Sequence, residues 1–244
     1  MQRAIIVGAS SGIGEALARE LAGDGYEVGL AARRRDRMTR IGSELPTKAY
    51  VATMDVTDAE DAREAFDELT AAMGSVDLVV LSAAVGHLNR DLEWVPERET
   101  IDVNVRGFTA IATAAMEYFE SRGGGHLVGI SSVGATFGNP GAPAYNASKS
   151  YVSTYLEGLR SRQVTRETDV TVTTVEPGFV DTEMAMGEEL FWMASPETAA
   201  AQIARAIRKR RDHVYVTRRW RLVAWFLAAM PESIVRRLVS YSNN

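Results

Sequence analysis

The sequence predicts a single-domain α/β fold in which helices flank a mostly parallel sheet of about seven strands. Short apolar runs alternate with helical patterns along the 244 residues. The run at residues 76–81 is apolar except for Asp77, as in a central strand buried on both faces. The first strand passes through a glycine-rich turn directly into a helix. This order is typical of a doubly wound Rossmann fold.

The composition is that of an ordinary globular protein. Hydrophobic residues make up 46% of the chain and charged residues 24%, which argues against disorder. The absence of cysteine excludes disulfides, thiolate metal sites and cysteine nucleophiles. The three histidines show no metal-ligand spacing, and the N-terminal residues do not resemble a secretory signal. We therefore expect a cytoplasmic protein without a metal site.

The first candidate site lies where the strand at residues 4–7 meets the following helix. A glycine turn lets the backbone approach a pyrophosphate, and a helix N-terminus offers unpaired N–H groups and the positive end of a dipole. A purely structural turn is the alternative. The residues expected to bind a dinucleotide here are Gly8, Ser10, Ser11, Gly12, Ile13 and Gly14.

The second strand, at residues 26–32, ends in three arginines. In this fold an acidic side chain at that point binds a free ribose 2′-hydroxyl, whereas a basic one pairs with a 2′-phosphate. The sequence therefore favours NADP(H) over NAD(H). Arg33 is the first candidate for the phosphate contact and Arg34 the second, and a solvated helix start is the alternative.

Further cofactor contacts are expected where later strands end at the same edge of the sheet. Asp55 and Val56 follow the third strand, where Asp55 could contact adenine or stabilise a turn. Small residues follow the fourth strand, and an irregular turn follows the sixth strand at residues 170–175. The candidates in these two places are Ser82, Ala83, Ala84, Pro177, Gly178, Val180 and Thr182.

Tyr145 and Lys149 are the expected centre of catalysis. Four residues apart in a helix, they share one face, and a nearby cation favours the charged form of a phenol. The pair could thus exchange protons near neutral pH, although a surface tyrosine and lysine at helical spacing is the alternative. Ser132, thirteen residues before Tyr145, follows the fifth strand. Asn104 stands in the middle of a long predicted helix, where a structural hydrogen bond is the alternative to a catalytic role.

A segment near the C-terminus suggests how an apolar ligand could bind. Residues 183–194 are rich in methionine and aromatic residues, which predicts a lid over an apolar substrate, with core packing as the alternative. The lid candidates are Met184, Met186, Phe191 and Trp192.

The stretch from Arg218 to Val239 places arginines beside tryptophan and leucine. This composition is typical of a helix that lies on an anionic membrane. Its apolar run is shorter than the roughly 20 residues needed to cross a bilayer. The alternative, which we favour slightly, is packing on its own domain or on another subunit.

Together these residues resemble the short-chain dehydrogenase/reductase family from Ile5 to about Val216. The family usually has threonine where Val7 stands, and its Asn-Asn-Ala-Gly motif is replaced by residues 81–84. The matching positions, in the order of the family motifs, are Gly8, Gly12, Gly14, Asp55, Asn104, Ser132, Tyr145, Lys149, Pro177, Gly178 and Thr182.

The resemblance implies hydride transfer between a nicotinamide and a carbonyl or alcohol. Taken with the arginines after the second strand and the apolar segment at residues 183–194, it makes an NADP-dependent carbonyl reductase or alcohol dehydrogenase acting on a small apolar or lipid-like substrate the leading hypothesis. Ser132 and Tyr145 would bind the carbonyl oxygen, with Tyr145 as the general acid/base. Lys149 would lower the pKa of the phenol and bind the nicotinamide ribose. Asn104 would hold a water that connects Lys149 to solvent.

The resemblance also implies a homodimer or homotetramer, with a small-molecule substrate and no nucleic acid among its partners. An NADP-binding and catalytic domain is expected at residues 1–217 and a helical extension at 218–244. Two rival functions are a catalytically silent regulator that senses NADP(H) and a membrane-recruited binding protein.

Overall fold

The computed structural model describes residues 1–184, 192–231 and 234. Its seven strands form one sheet with the order β3-β2-β1-β4-β5-β6-β7, and every neighbouring pair is parallel. The predicted Rossmann sheet is therefore confirmed. The strands are β1 (Arg3–Val7), β2 (Glu27–Ala32), β3 (Ala49–Thr53), β4 (Leu78–Leu81), β5 (Gly124–Ile130), β6 (Asp169–Pro177) and β7 (His213–Val216).

Helices connect the strands and cover both faces of the sheet. They are α1 (Gly12–Gly23), α2 (Arg35–Glu44), α3 (Ala59–Met73), α4 (Trp94–Ile101), α5 (Phe108–Ser121), α6 (Pro143–Gln163), α7 (Pro196–Arg208) and α8 (Trp220–Ala229). A π-helical segment, Asp102–Gly107, joins α4 to α5, so the long predicted helix is continuous but changes its hydrogen-bond pattern around Asn104. A 3₁₀ turn, Val133–Thr136, follows β5.

The core consists of two apolar layers, one on each face of the sheet. Adjacent residues of β1 alternate between them: Ile6 packs with α1, α2 and α7, whereas Ile5 packs with α3, α5 and α6. Both side chains are fully buried. Successive residues of a strand point to opposite faces, so a parallel strand between two helical layers is apolar at most positions, as β1 is from Ala4 to Val7.

Several strand boundaries differ by one or two residues from the predicted ones. β6 extends to Pro177, because Glu176 and Pro177 pair with β7 instead of starting the turn. β5 begins with two glycines, Gly124 and Gly125, because they pair with the start of β6. Glycine is needed at the second of these positions, since a Cβ on Gly125 would overlap the ring of Phe119.

The parallel arrangement brings the carboxyl ends of β1, β4, β5 and β6 to one edge of the sheet. The glycine loop, the small residues after β4, Ser132 and the turn after β6 therefore meet there. No described helix is both long enough and apolar enough to cross a bilayer.

Candidate active site

The glycine loop depends on the absence of side chains. Gly8 and Gly12 adopt φ values of 91° and 57°, a region that L side chains rarely occupy. A Cβ on Gly8 would lie 2.5 Å from the backbone nitrogen of Ala83, and one on Gly14 would overlap the carbonyl oxygen of Gly8. The loop thus brings β1, β4 and α1 closer together than any other residue would allow.

The N-terminus of α1 is open to an anion. Ser11 is the N-cap residue, but its side chain does not cap the helix. Its Oγ instead accepts a hydrogen bond from Arg34 at 2.7 Å, and Ser10 Oγ accepts two more from the same guanidinium at 3.0 and 3.1 Å. The free N–H groups of the first turn and a guanidinium therefore lie beside each other, as the phosphates of a dinucleotide require.

The arginines at the end of β2 are not equivalent. Arg34 contacts the glycine loop, whereas Arg33 is exposed and makes no hydrogen bond or ion pair within the described residues. This placement favours Arg34 for a phosphate contact, although the sequence ranked Arg33 first. The sequence could not show which of the two arginines contacts the glycine loop, because both follow the same strand.

Asp55 forms a turn after β3. Its Oδ1 accepts hydrogen bonds from the backbone nitrogen of Thr57 at 3.1 Å and from the Thr57 hydroxyl at 2.8 Å. The turn role suggested by the sequence is thus observed. The side chain is exposed at the carboxyl edge of the sheet, and Val56 beside it is buried. Contact between Asp55 and an adenine ring stays a prediction.

The small residues after β4 fit closely against the glycine loop. The backbone nitrogen of Ser82 donates to the Val7 carbonyl at 2.8 Å. Ala83 is the residue that a side chain on Gly8 would strike. Ser82, Ala83 and Ala84 are all half-buried, so their backbone borders the crevice without filling it.

The turn after β6 lies over the glycine loop. Thr182 Cγ2 is 3.1 Å from the position that a Cβ on Gly12 would take. The backbone nitrogen of Gly178, which follows Pro177, donates to the Val216 carbonyl at 2.5 Å. Trp220, the first residue of α8, packs so tightly on Gly178 that a side chain there would overlap the indole.

The two ends of the predicted lid pair with each other. Val180 forms a β-bridge with Ala194, and backbone hydrogen bonds flank the bridge on both sides. Met184 is half-buried, whereas Trp192 is exposed and lies edge-to-face with Trp220 at 6.3 Å between ring centres. Core packing therefore does not account for Trp192. The other two lid candidates, Met186 and Phe191, lie outside the described residues.

Tyr145 and Lys149 share one face of α6, as predicted. The Nζ of Lys149 lies 5.7 Å from the centre of the tyrosine ring and donates to the Ile130 carbonyl at 3.1 Å. Lys149 is only 3% exposed. This burial contradicts the alternative of two surface residues, because an ammonium group is seldom buried without a specific role.

The electrostatics of the pair differ from the expectation. Burial raises the pKa of the Tyr145 phenol, and a side-chain hydrogen bond with Ser132 lowers it only in part. Burial also lowers the pKa of Lys149 from 10.5 to about 8. The cation was expected to lower the pKa of the phenol, but its Nζ bonds to the Ile130 carbonyl and desolvation dominates both groups. The phenol consequently keeps its proton at neutral pH.

Ser132 is held in place by its own turn. Its Oγ accepts a hydrogen bond from the backbone nitrogen of Gly134 at 3.0 Å, at the start of the 3₁₀ turn. Asn146, the residue after Tyr145, donates to the carbonyls of Gly134 and Phe137 at 2.8 and 3.0 Å. This turn and α6 are therefore fixed to each other on both sides of the Ser132 and Tyr145 hydroxyls.

Asn104 connects two parts of the site through hydrogen bonds. Its Oδ1 accepts from the backbone nitrogen of Val85 and its Nδ2 donates to the Val85 carbonyl, both at 2.8 Å. The Nδ2 also donates to Ser148 Oγ at 3.0 Å, one residue before Lys149. The side chain, which is 1% exposed, is a positioning group between the loop after β4 and α6. A water between Asn104 and Lys149 stays a prediction.

A buried chain of hydroxyl groups behind the site was not found from the sequence. Ser131 Oγ donates to the Lys149 carbonyl at 2.8 Å and lies 2.9 Å from Ser153 Oγ. Ser153 donates its one proton to the Glu176 carboxylate, at 2.6 Å. The pair Ser131–Ser132 at the end of β5 could have suggested these hydrogen bonds, but the sequence analysis gave a role only to Ser132. No cluster of acidic and histidine side chains suited to a metal occurs in the described ranges.

Replacing Lys149 with methionine is expected to stabilise the fold at neutral pH. Below pH 8 the lysine is protonated in both folded and unfolded chains, so the folded state carries a desolvation cost on the order of 3 kcal/mol. Loss of the bond to Ile130 offsets about 1 kcal/mol of the gain. Between pH 8 and 10.5 the folded state loses its proton first, so the advantage of the variant shrinks.

Thermal unfolding at pH 7 and pH 10 measures this effect, with Lys149→Met melting about 5 °C above wild type at pH 7. The matched control is Lys209→Met, which removes an exposed charge. A variant less stable than wild type at pH 7 would contradict the assigned cost of burial.

Comparisons with known proteins agree with this geometry. A family model described as short chain dehydrogenase matches residues 2–190. An uncharacterized oxidoreductase of Mycobacterium tuberculosis is 34% identical over 247 residues, which cover 97% of this chain and 96% of that protein.

Two solved structures share the fold. An alcohol dehydrogenase from the archaeon Thermococcus sibiricus, complexed with 5-hydroxy-NADP, has a TM-score of 0.76 and 27% identity, covering 88% of this chain and 95% of that one. A 3-ketoacyl-ACP reductase from Sinorhizobium meliloti 1021 has a TM-score of 0.77 and 29% identity, covering 87% and 96%. The chain therefore belongs to the short-chain dehydrogenase family of oxidoreductases.

Proposed function

We propose that the protein interconverts a carbonyl and a secondary alcohol on a small apolar or lipid-like substrate, with NADP(H) preferred over NAD(H). The observation that supports this most is the meeting of Tyr145, Ser132 and the buried Lys149 at the sheet edge that also carries the glycine loop. The proposal includes the homo-oligomeric state and the cytoplasmic location expected from the sequence.

The roles of the side chains follow from their environment. A bound nicotinamide supplies or accepts the hydride. Ser132 and Tyr145 would hydrogen bond to the carbonyl oxygen and stabilise the negative charge that develops on it. Tyr145 retains its proton because burial raises its pKa, so it can donate that proton in the reductive direction. The positive charge of Lys149, present below about pH 8, favours the phenolate left behind.

The preference for NADP(H) is supported by Arg34. Its guanidinium lies against Ser10 and Ser11 at the N-terminus of α1, so its positive charge is placed where it could pair with a 2′-phosphate. No acidic residue ends β2 to bind a free 2′-hydroxyl. The Thermococcus alcohol dehydrogenase, which shares the fold, was solved with an NADP derivative.

An apolar substrate is supported by the aromatic side chains beside the crevice. Trp220 packs edge-to-face with Phe179 and with Trp192, at 5.3 and 6.3 Å between ring centres. α8 itself lies next to the 3₁₀ turn that begins after Ser132. A regulator that only senses NADP(H) would need the glycine loop but not this set of catalytic hydroxyls, so the oxidoreductase is favoured.

A peripheral contact with an anionic membrane is the second candidate, and the surface of α8 favours it. Leu222, Trp225 and Phe226 are exposed, with 61% of Trp225 accessible to solvent. Arg219 and Arg221 are exposed in the same stretch, and the first turn of α8 has no acidic residue. Exposed aromatic and arginine side chains together suit an interface with anionic lipids.

Tyr145→Phe is expected to retain NADPH binding and to lose turnover by about 10²–10⁴-fold, because the variant lacks the proton donor. Turnover is measured with NADPH against a panel of ketones and aldehydes on which wild type is active. Tyr155→Phe, on the same helix, is the control and should keep its activity. Near-normal turnover by Tyr145→Phe would refute the assigned role.

Wild type is expected to bind NADPH more tightly than NADH. Arg34→Ala should weaken NADPH binding by about tenfold or more, because a charge-assisted contact is lost. Arg33→Ala should change it less, since that side chain makes no contact with the loop. Titration of intrinsic tryptophan fluorescence gives both affinities. Tighter binding of NADH by wild type would overturn the proposed preference.

Vesicle sedimentation tests the membrane candidate. Wild type should partition more strongly onto phosphatidylglycerol vesicles than onto phosphatidylcholine vesicles. The double variant Trp225→Ser, Phe226→Ser should lose that partitioning while Trp220, which packs on Gly178, is left intact. Equal partitioning of the two proteins onto the anionic vesicles would end the membrane hypothesis.

A further inference from the structure

Glu183 bridges two arginines at the start of α2. It follows Thr182 in the turn after β6, and its Oε2 lies 3.2 Å from an Nη of Arg34. Its Oε1 lies 3.0 Å from an Nη of Arg37. The carboxylate therefore connects the turn after β6 to the end of β2, across the glycine loop. This contact was not anticipated from the sequence, because 149 residues separate Glu183 from Arg34.

The guanidinium of Arg34 has few donors left. A guanidinium carries five N–H groups. In Arg34, Nε bonds to Ser10, one Nη bonds to Ser10 and Ser11, and the other Nη bonds to Glu183. At most one N–H group therefore remains without a partner. A phosphate that binds this guanidinium through two donors has to displace one of these partners, and Glu183 is the only anion among them in the described chain.

We propose that Glu183 acts as an internal competitor for the 2′-phosphate and so sets how strongly the protein prefers NADP(H). A 2′-phosphate takes its place on Arg34 and Arg37, and the turn after β6 loses this link to α2. The inference rests on the proposed function, because it takes Arg34 as a ligand of the 2′-phosphate. It identifies Glu183 as a specificity-determining residue.

The charges of the two anions decide the direction of the exchange. A phosphate monoester carries a charge near −2 at neutral pH, whereas the carboxylate carries −1. The two arginines lower the pKa of Glu183, so it stays ionised and remains a competitor throughout the neutral range. All three side chains are substantially exposed, which makes each ion pair weak. The carboxylate should therefore weaken phosphate binding by about three- to tenfold without preventing it.

Glu183 could instead help to hold a bound dinucleotide, and the two roles predict opposite changes in ligand affinity when the carboxylate is removed. If the link between Glu183 and the arginines closed over a bound dinucleotide, removing the carboxylate would weaken binding. If Glu183 competes with the phosphate, removing it strengthens binding, and only for ligands that carry the 2′-phosphate.

Calorimetric titration of adenosine 2′,5′-bisphosphate and of 5′-AMP into the full-length protein tests the competition. These ligands differ only in the 2′-phosphate and need no substrate. Glu183→Gln should bind the bisphosphate about three- to tenfold more tightly than wild type does, with 5′-AMP affinity changed by less than about twofold. The control is Glu167→Gln, which makes the same charge change at an exposed position near the amino end of β6. It should change neither affinity.

Each outcome decides one question. Unchanged or weaker binding of the bisphosphate by Glu183→Gln overturns the competition, whatever the preference of wild type. Equal binding of the two ligands by wild type contradicts the NADP(H) preference but leaves the comparison of variants valid. Equal gains in both affinities would also overturn the inference, because a competitor for the 2′-phosphate cannot affect 5′-AMP.

Discussion

The close approach at Gly8 is the constraint on which the rest of the site depends. Because neither Gly8 nor Gly14 has a side chain, the end of β1, the loop after β4 and the first turn of α1 come into direct contact. Asn104 then fastens the same loop to α6 through Val85 and Ser148. The glycine loop and the helix that carries Tyr145 and Lys149 are thus linked through direct contacts.

Burying Lys149 lowers the stability of the folded state, because its ammonium group loses its hydration. Its ammonium group is buried, and the loss of hydration lowers its pKa from 10.5 to about 8. The hydrogen bonds to the backbone of Ile130 and from Ser131 hold the residue in place. The same burial keeps the Tyr145 phenol neutral. A desolvated pair that is costly for stability is therefore well suited to exchange one proton at a defined point.

Much of this organisation could be predicted from the sequence, because strand ends, glycine turns and the spacing of Tyr145 and Lys149 are local patterns. The features that were missed depend on long-range contacts. The contact of Arg34, and not of Arg33, with the glycine loop joins segments more than twenty residues apart. The hydrogen bonds of Asn104 join segments far apart in the chain. The direction of the pKa shift of Tyr145 depends on burial, which spacing does not report.

The packing of Trp220 on Gly178 ties together two segments that are separated by about forty residues. A side chain at position 178 would overlap the indole, so only glycine leaves room for it. A C-terminal segment grafted from a relative would therefore function only if its first aromatic residue matched the glycine of the host. Exchange of tails between related proteins therefore has to treat the turn and the tail as one inherited unit.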